Sequence, residues 1–599
     1  MIYHCEDHTC NYWDEGEKLP ERCPQCGRKL LRANEADMTG DDWTALGNTL
    51  WDAEASDKKR MVDCFRKAAY LGSAWGVCNL GICMEQGNGV EADPVQAFWL
   101  YQQAVEMGSL NAVCCLGVCY QYGIGTAPDA EKAAELYCKA AEYGSPRGQM
   151  LLARAFHDGI GVEADAAEAV HWVRAAAYQR YGEGMHRLGV CYAYGDGVEQ
   201  NWEHAVHWFR EAAESGVSVA MTDLGYCYEK GCGVEQSWEQ AFSWYRRSAE
   251  CGNPVSMSNL GLCYQMGYGV EQNWQEAIKW YEQGAQCGDL QSMHNLACCY
   301  EGGEGVEQNE DRAFYWYRRS AEGGNGSAMC NLGRCYKRGY GVEQNWQEAV
   351  KWYEQGAQCG NLQSMHNLAC CYEHGEGVEQ NMTEAIRWYT AAAEGGNADD
   401  MYELGWQYDH GEGVEQDMKK AICWYERAAE QNHPAAMNSL GECYAMGRGV
   451  PRDLETAMEW YRRAAELGEA MADYNMGWHL EQAGKLSEAY AHYRKAADGN
   501  DDSAWWALGR FYENGVVVAQ DGKEARRCYE TGEKLGSVKC KMRLARCKLL
   551  GIGGRREKKA GLDLCRQALE LAKESSEKED YGYEAEMNLL RRTIAENES

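Results

Sequence analysis

Residues 256–285 read SMSNLGLCYQMGYGVEQNWQEAIKWYEQGA. In the first half of this stretch, apolar side chains recur three or four residues apart, which lines one face of a helix. These side chains are Met257, Leu260, Cys263 and Tyr264. Gly267 ends this helix, and the residues GYGVEQ that begin there form a turn. The first half therefore predicts one short amphipathic helix.

The second half predicts another helix. Asn273 can cap its start, and Glu276 stands three residues later as the partner of a capping box. The side chains expected in the core of this helix are Ala277, Trp280, Tyr281 and Ala285. The helix breaks near Gly288, so the whole stretch predicts a helix hairpin.

The hairpin recurs with a fixed period. With the Leu of the NLG triplet as a marker, the same position returns every 36 residues from Leu80 to Met476. Three further markers lie outside this series, at Leu46, Leu508 and Leu544. About fifteen units result, far more than the roughly three that bury a shared core. The sequence therefore predicts an all-α fold, a right-handed α/α superhelical solenoid of about fifteen helix-pair repeats.

Two units are nearly identical. AQCGDLQSMHNLACCYE at 285–301 returns at 357–373 with Asn361 in the place of Asp289. Recent duplication explains this identity, so the repetition alone does not mark a binding site.

Composition excludes several classes of function. The formal net charge of −33 repels phosphate backbones and anionic membrane surfaces, which argues against general nucleic-acid binding. The first residues, MIYHCEDHTCNYW, lack the basic start and apolar core of a signal peptide. No apolar run is long enough for a membrane span. We therefore expect a cytoplasmic protein.

The repeated pattern resembles the Sel1-like repeat family, a relative of tetratricopeptide repeats. The resemblance rests on the LG pair, the GxGV turn and the A-x-x-W-Y helix, and it covers about residues 40–560. Two units depart from the pattern: residues 474–498 lack the GxGV turn, and Ala153 replaces the glycine of the LG pair. Membership implies protein–protein scaffolding in a bacterial protein, and it does not name a partner.

Ten units carry a cysteine three residues after the marker. These cysteines are Cys83, Cys119, Cys191, Cys227, Cys263, Cys299, Cys335, Cys371, Cys443 and Cys547. The position lies on the face expected to be buried, where a thiol packs as a small apolar group. We expect reduced core thiols here rather than disulfides or metal ligands.

The N-terminus carries a different pattern. Cys5, Cys10, Cys23 and Cys26 form a C-x4-C and a C-x2-C pair, and the second pair, in CPQCG, resembles the knuckle of zinc ribbons. Four thiolates suit a closed, structural Zn²⁺ site, with iron as the minor alternative. His4 or His8 could replace Cys5 or Cys10 as a ligand. This zinc-ribbon-like segment is either a folded cap on the solenoid or a second docking module.

In tetratricopeptide-type arrays, the first helix of each unit lines a concave groove. By that resemblance, the groove positions lie five and two residues before the marker and two, five and six residues after it. They supply a basic patch and a run of aromatic, histidine and arginine side chains. The candidate partner-binding residues are Arg334, Lys337, Arg338, Tyr402, Trp406, His410, Tyr474, Trp478, Trp506 and Arg510. The alternative is that the basic residues are merely solvated and the tryptophans pack on neighbouring units.

These observations predict a non-enzymatic adaptor. Its groove would hold a protein partner, such as a peptide or helix with apolar anchors and acidic residues. The alternative is a metal-responsive regulatory binding protein in which the zinc ribbon docks the partner. We find no H-E-x-x-H, phosphate-binding glycine loop or dinucleotide fingerprint in the sequence, so we expect no enzyme and no catalytic residues. The expected domains are a ribbon at 1–34, a repeat solenoid at 35–558 and C-terminal capping helices at 559–599.

Overall fold

A computed structural model of the chain describes residues 2–5, 13–15, 30–32, 35, 38–51, 55–578 and 584–598. The chain divides into two compact units, residues 1–309 and 310–599, and each is described by itself. The first unit begins with a small antiparallel sheet of order β2–β1–β3, in which Cys5 is the partner of Leu30. Its strands are β1 (Ile2–Cys5), β2 (Trp13–Glu15) and β3 (Leu30–Arg32).

The rest of the first unit is helical. Its helices are α1 (Gly40–Thr49), α2 (Ala55–Tyr70), α3 (Ala74–Gln86), α4 (Pro94–Glu106), α5 (Leu110–Tyr122), α6 (Ala130–Glu142), α7 (Pro146–Asp158), α8 (Ala166–Tyr178), α9 (Gly182–Tyr194), α10 (Trp202–Glu214), α11 (Ser218–Lys230), α12 (Trp238–Glu250), α13 (Pro254–Met266), α14 (Trp274–Gln286) and α15 (Leu290–Gly302).

The second unit continues the same order of helices. They are α16 (Glu310–Glu322), α17 (Gly326–Arg338), α18 (Trp346–Gln358), α19 (Leu362–His374), α20 (Met382–Glu394), α21 (Ala398–His410), α22 (Met418–Glu430), α23 (Pro434–Met446), α24 (Leu454–Glu466), α25 (Ala470–Gln482), α26 (Leu486–Asp498), α27 (Asp502–Asn514), α28 (Gly522–Lys534), α29 (Val538–Leu550), α30 (Lys558–Lys578) and α31 (Glu584–Glu598).

Helix pairs are the building unit, as the sequence predicted. Odd-numbered helices up to α29 are the first helix of a pair, and each contains one marker residue. The ends form as expected: Gly267 closes α13 in the left-handed conformation, and the Asn273 side chain accepts a hydrogen bond from the Glu276 backbone N–H at the start of α14. The array is therefore an α-solenoid of many helix-pair repeats.

Within a typical repeat, the LG pair and the tyrosine of the WY pair form the core. Leu260 and Tyr281 are fully buried, and a Cβ on Gly261 would come within 2.5 Å of the Tyr281 ring. The Tyr281 hydroxyl donates to the Gln265 side chain at 2.7 Å, which satisfies its polar end. Trp280, expected in the core, is only half-buried, because adjacent helical residues point about 100° apart. The glycine is thus required for close packing of the two helices.

The second glycine of the GxGV turn connects neighbouring pairs. Gly269 has φ +68°, and a Cβ there would overlap the backbone of Trp238 at the start of α12. Only glycine combines a left-handed backbone with so close an approach. The turn therefore forms part of the interface between successive repeats.

The cysteines three residues after the marker are buried, as predicted. The ten side chains, from Cys83 to Cys547, are each at most 3% exposed. Cys263 is a free thiol, and burial raises its pKa to about 12. Such thiols pack as apolar groups and are poor nucleophiles at neutral pH. Within the described part of the chain, we find no helix long and apolar enough to cross a bilayer.

Candidate functional site

The positions expected to line a groove lie on the first helix of each pair. We call them the groove face: the residues two and five before the marker, and two, five and six after it. All the predicted partner-binding residues lie on α17, α21, α25 and α27 of the second unit. The structure divides them into four groups with different surroundings.

The basic group on α17 is partly engaged within the protein. Lys337 Nζ lies 3.5 Å from a carboxylate oxygen of Glu376 and 5.0 Å from the ring centre of Trp346. Arg338 is exposed and stacks loosely on Tyr340, while Arg334 is half-buried. Arg338 is therefore the member of this group most open to a partner.

The group on α21 consists of stacked rings. Tyr402 stacks on His433 with ring centres 4.9 Å apart, and Trp406 stacks on His410 at 4.4 Å. The His410 Nδ1 atom lies 2.9 Å from the Trp406 carbonyl oxygen, which fixes the histidine over the indole. His410 is exposed and the other three rings are half-buried. The stacked rings form a platform with little side-chain entropy left to lose on binding.

The group on α25 borders a cavity between α23 and α25, which we call the Trp478 cavity. Its volume is about 410 Å³, and Tyr474 and Trp478 line it. The other lining residues are Glu442, Met446, Arg448, Tyr461, Asn475 and His479. Trp478 is 38% exposed and Met446 58% exposed at its rim, whereas Tyr474 is more buried, which raises the pKa of its hydroxyl to about 12.

Charges at the Trp478 cavity are already paired. Arg448 lies 3.0 Å from a carboxylate oxygen of Asp409, and it also approaches Glu442. Burial lowers the pKa of His479, so this imidazole is neutral near pH 7. The cavity therefore offers an apolar, aromatic wall with a neutral polar rim.

The group on α27 has a structural role of its own. Arg510 donates to Glu481 at 2.7 Å, and its guanidinium lies 4.5 Å from the Trp506 ring centre. Lys539 covers Trp506 at 5.3 Å. Trp506 and Arg510 thus contact residues of neighbouring repeats, and Arg510 is paired with a carboxylate.

Sequence reasoning missed two residues of the Trp478 cavity. Met446 lies six residues after Leu440, so it occupies a groove position, but only aromatic and basic residues were selected there. His479 occupies the place that cysteine takes in ten other units. Both could have been found from departures at fixed positions of the repeat.

A second cavity, of about 520 Å³, lies in the first unit beside Val173. Val173 occupies the place of Tyr281, 21 residues after the marker, and it stands opposite Ala153, the departure noted in the sequence. The smaller side chain leaves room that the tyrosine ring fills elsewhere. We call this the Val173 cavity. It is lined by three arginines, Arg147, Arg154 and Arg187, and by two aspartates, Asp158 and Asp196.

Only one of these arginines is not paired with an aspartate. Arg154 lies 3.3 Å from Asp158 and Arg187 lies 3.2 Å from Asp196. Arg147 instead donates to the amide oxygen of Asn111 at 2.6 Å and to the Cys115 sulfur at 3.6 Å. Arg147 is therefore the arginine of this cavity whose partners leave it most able to meet a negatively charged group.

The predicted zinc ligands fall mostly outside the described residues. Cys5 ends β1, whereas Cys10, Cys23 and Cys26, together with His8, lie beyond the described ranges. Among the residues that are described, no group of three or more His, Cys, Asp or Glu side chains is arranged so that it could hold a metal ion.

Comparison with known proteins identifies the repeats. The sequence model of the Sel1 repeat matches fourteen consecutive segments between residues 76 and 573. They are 76–109, 112–145, 146–181, 182–217, 218–253, 254–289, 290–325, 326–361, 362–397, 398–433, 434–469, 470–501, 504–537 and 538–573. The last segment reaches into the region expected to hold only capping helices. A comparison with curated proteins gives no significant match.

A solved structure supports this assignment. The protein c5321, a protective antigen of uropathogenic Escherichia coli strains with an SLR fold, is 32% identical, with a TM-score of 0.51 over 75% of this chain and 97% of that chain. A Sel1 repeat protein from Oxalobacter formigenes is 28% identical, with a TM-score of 0.40 over 52% of this chain and 89% of that chain. With fourteen matched repeats over most of its length, the chain belongs to the Sel1 repeat family.

Proposed function

We propose that this protein is a non-enzymatic scaffold that binds protein partners on the groove face of its second unit. Solenoids of Sel1 repeats are typically protein-interaction scaffolds. The observation that carries the proposal is the Trp478 cavity, where exposed Trp478 and Met446 border a pocket on that face. Large apolar side chains at the rim of a concave site are typical of binding hot spots.

The partner that fits is a peptide or helix with an apolar anchor and acidic residues. The anchor would enter the Trp478 cavity, whose own charges are paired within the protein. Acidic residues of the partner would meet Arg338 on the groove face of α17. In the first unit, the Val173 cavity would accept a side chain that carries both an apolar part and a negative charge, the latter directed to Arg147.

Partner capture tests this proposal. We expect the wild-type protein to capture a partner from its native host, and a Tyr402→Ala, Trp406→Ala, Trp478→Ala variant to lose it. Aromatic hot-spot residues each contribute roughly 2 kcal/mol or more, so the loss in affinity should exceed about a hundredfold. The measurement is affinity capture with mass-spectrometric identification, followed by titration calorimetry with the purified partner.

The control removes the same number of rings from second helices of the same unit: Trp388→Ala, Trp424→Ala and Trp460→Ala. These tryptophans are half-buried, so the two variants lose comparable packing. Circular dichroism must show both variants folded. If the control variant loses the partner and the groove variant keeps it, the proposed docking face is wrong.

We also propose that the N-terminal segment, 1–34, holds a structural Zn²⁺ through Cys5, Cys10, Cys23 and Cys26. The pairing of Cys5 with Leu30 supports this, because it brings the end of β1 beside the chain that follows Cys26 by only four residues. Thiolates from two such neighbouring segments are a usual ligand set for zinc. We further propose a repeat solenoid at 35–558 and capping helices at 559–599. We also propose a cytoplasmic location.

Metal analysis of the purified protein tests the zinc site. We expect one zinc per chain by plasma mass spectrometry, and none in a Cys23→Ser, Cys26→Ser variant, because a closed tetrahedral site needs all four ligands. His4→Ala and His8→Ala are the controls and should retain the metal. Retention of zinc in the double cysteine variant, or its loss on replacing a histidine, would contradict this ligand set.

The same double variant separates the two candidate functions. A scaffold that binds through its groove face keeps its partner when the zinc is lost. A metal-responsive regulator that docks through the ribbon loses it, although the groove face is intact.

A further inference from the structure

The duplicated segment gives α19 a cluster that contains a thiol, an imidazole and a carboxylate. Cys370 Sγ lies 3.6 Å from His366 Nε2, and His366 Nδ1 lies 2.7 Å from an oxygen of Asp400 on α21. Cys370 and His366 stand two residues after and before the marker Leu368, so both belong to the groove face. Cys370 is half-buried, and Asp400 is completely buried.

We propose that Cys370 is a reactive thiol on the groove face, activated by His366 and Asp400, and a site of reversible modification by small disulfides. Its two partners have distinct roles. His366 contacts the sulfur and stabilises its thiolate, while Asp400 acts through His366 as a positioning residue.

The geometry explains why the imidazole should be charged. The hydrogen bond that His366 donates to Asp400 raises the pKa of His366 to about 10, and the adjacent sulfur contributes in the same direction. The second carboxylate oxygen of Asp400 is buried without a hydrogen-bond partner. Burial raises the pKa of this carboxyl group, and the hydrogen bond that it accepts from His366 opposes that shift. An imidazolium held beside a cysteine is the usual means by which proteins activate a thiol.

Other groups around the cluster must be considered. The Tyr389 hydroxyl of α20 lies 3.3 Å from Cys370 Sγ and donates to Glu373 at 2.7 Å. Glu403 of α21 is near His366, and burial raises the pKa of this glutamate. Glu373 and Glu403 oppose a thiolate, whereas His366, in direct contact with the sulfur, favours it. The closest charge decides, because Coulomb energy falls with distance.

The modification is a thiol–disulfide exchange. The Cys370 proton passes to solvent as the ion pair with His366 forms, and the thiolate attacks one sulfur of a small disulfide. A new S–S bond joins Cys370 to that half, and the old S–S bond breaks. The other half leaves as a thiolate, so the disulfide is both the oxidant and the source of the attached group.

The first copy of the duplication provides a comparison inside the same chain. Cys298 Sγ lies 3.8 Å from His294 Nε2, nearly the distance found at Cys370. His294 Nδ1 lies 3.3 Å from the neutral amide oxygen of Asn295. Cys298 therefore serves as an internal reference of similar local sequence.

The test measures the rate at which 4,4′-dithiodipyridine forms a mixed disulfide at each cysteine, located by mass spectrometry. At pH 7 we expect Cys370 to react about tenfold faster than in a His366→Gln variant, because the variant lacks the positive charge beside the sulfur. Asp400→Asn should give an intermediate rate. The advantage of the wild type over His366→Gln should persist at pH 8, because the pKa of His366 is raised to about 10 and the imidazole stays charged there.

The reaction rate of Cys298 controls for changes in folding and exposure. The rate at Cys298 should be the same in all variants, which shows that exposure and folding of the array are unchanged. His294→Gln is the matched control and should leave the Cys370 rate as it is. Equal rates at Cys370 in the wild type and in His366→Gln, or an advantage that disappears at pH 8, would overturn the proposal.

Discussion

A Gly161→Ala variant is expected to lose about 2–5 kcal/mol of stability. Gly161 has φ +69°, and a Cβ there would overlap the carbonyl oxygen of Ala130 at the start of α6. A left-handed backbone costs a residue with a Cβ roughly 1–2 kcal/mol, and overpacking against a rigid group adds about 1–3 kcal/mol. Urea unfolding, together with hydrogen exchange of α6 and α7, measures the loss and shows where it falls.

Gly144→Ala is the matched control. Gly144 also has positive φ, at +81°, but a Cβ there would meet no atom within 4 Å. Only the backbone penalty applies, so this variant should lose no more than about 1–2 kcal/mol. Equal losses for the two variants would show that the turn glycine does not join neighbouring repeats, contrary to our account of the array.

An Arg543→Ala variant is expected to lose about 3–5 kcal/mol and to release the last helix, α31, because it leaves a buried carboxylate without its partner. Arg543 donates to Glu586 of α31 at 2.6 Å and lies 3.3 Å from Glu513 of α27. The side chains of all three residues are at most 14% exposed. Arg546 also pairs with Glu513, so Glu586 suffers the greater loss. Thermal unfolding and limited proteolysis near residue 580 measure these effects.

The comparison variant is Arg527→Ala, in the same unit. Its pair with Glu524 is open to solvent, with side-chain exposures of 77% and 44%, so the loss should stay below about 1 kcal/mol. If Arg543→Ala proves as mild as Arg527→Ala, the buried network does not hold α31 in place.

The fold could be predicted from the sequence because the same structural signals recur in repeat after repeat. The marker leucine, the turn glycines and the asparagine caps return at fixed positions, and the helices begin and end where these signals place them. Trp280 shows the limit of a pattern: it lies beside the core-facing Tyr281, and only packing decides how much of each ring is covered. Val517 occupies the position of the second turn glycine with φ +63°. One repeat therefore departs from a pattern that its neighbours follow.

The candidate site was less predictable, because it depends on contacts between units. The groove positions include Trp478 and Tyr474, which line one cavity. They could not show that Arg510 is paired with Glu481, or that Lys337 approaches Glu376, since these partners lie in neighbouring repeats. The pair of His366 with Asp400 was missed for the same reason: the two copies of the duplicated segment look equivalent until the next repeat is considered.

The central claim is that a partner protein docks on the groove face of the second unit. Hydroxyl-radical footprinting of the captured complex tests it most directly, because the oxidation rate of a side chain reports its exposure. We predict that Trp406, Met446 and Trp478 become protected when the partner binds, while Trp424 and Trp460 on the second helices keep their rates. Protection of Trp424 and Trp460 without protection of Trp478 would contradict the account and place the partner on the other helices of the array.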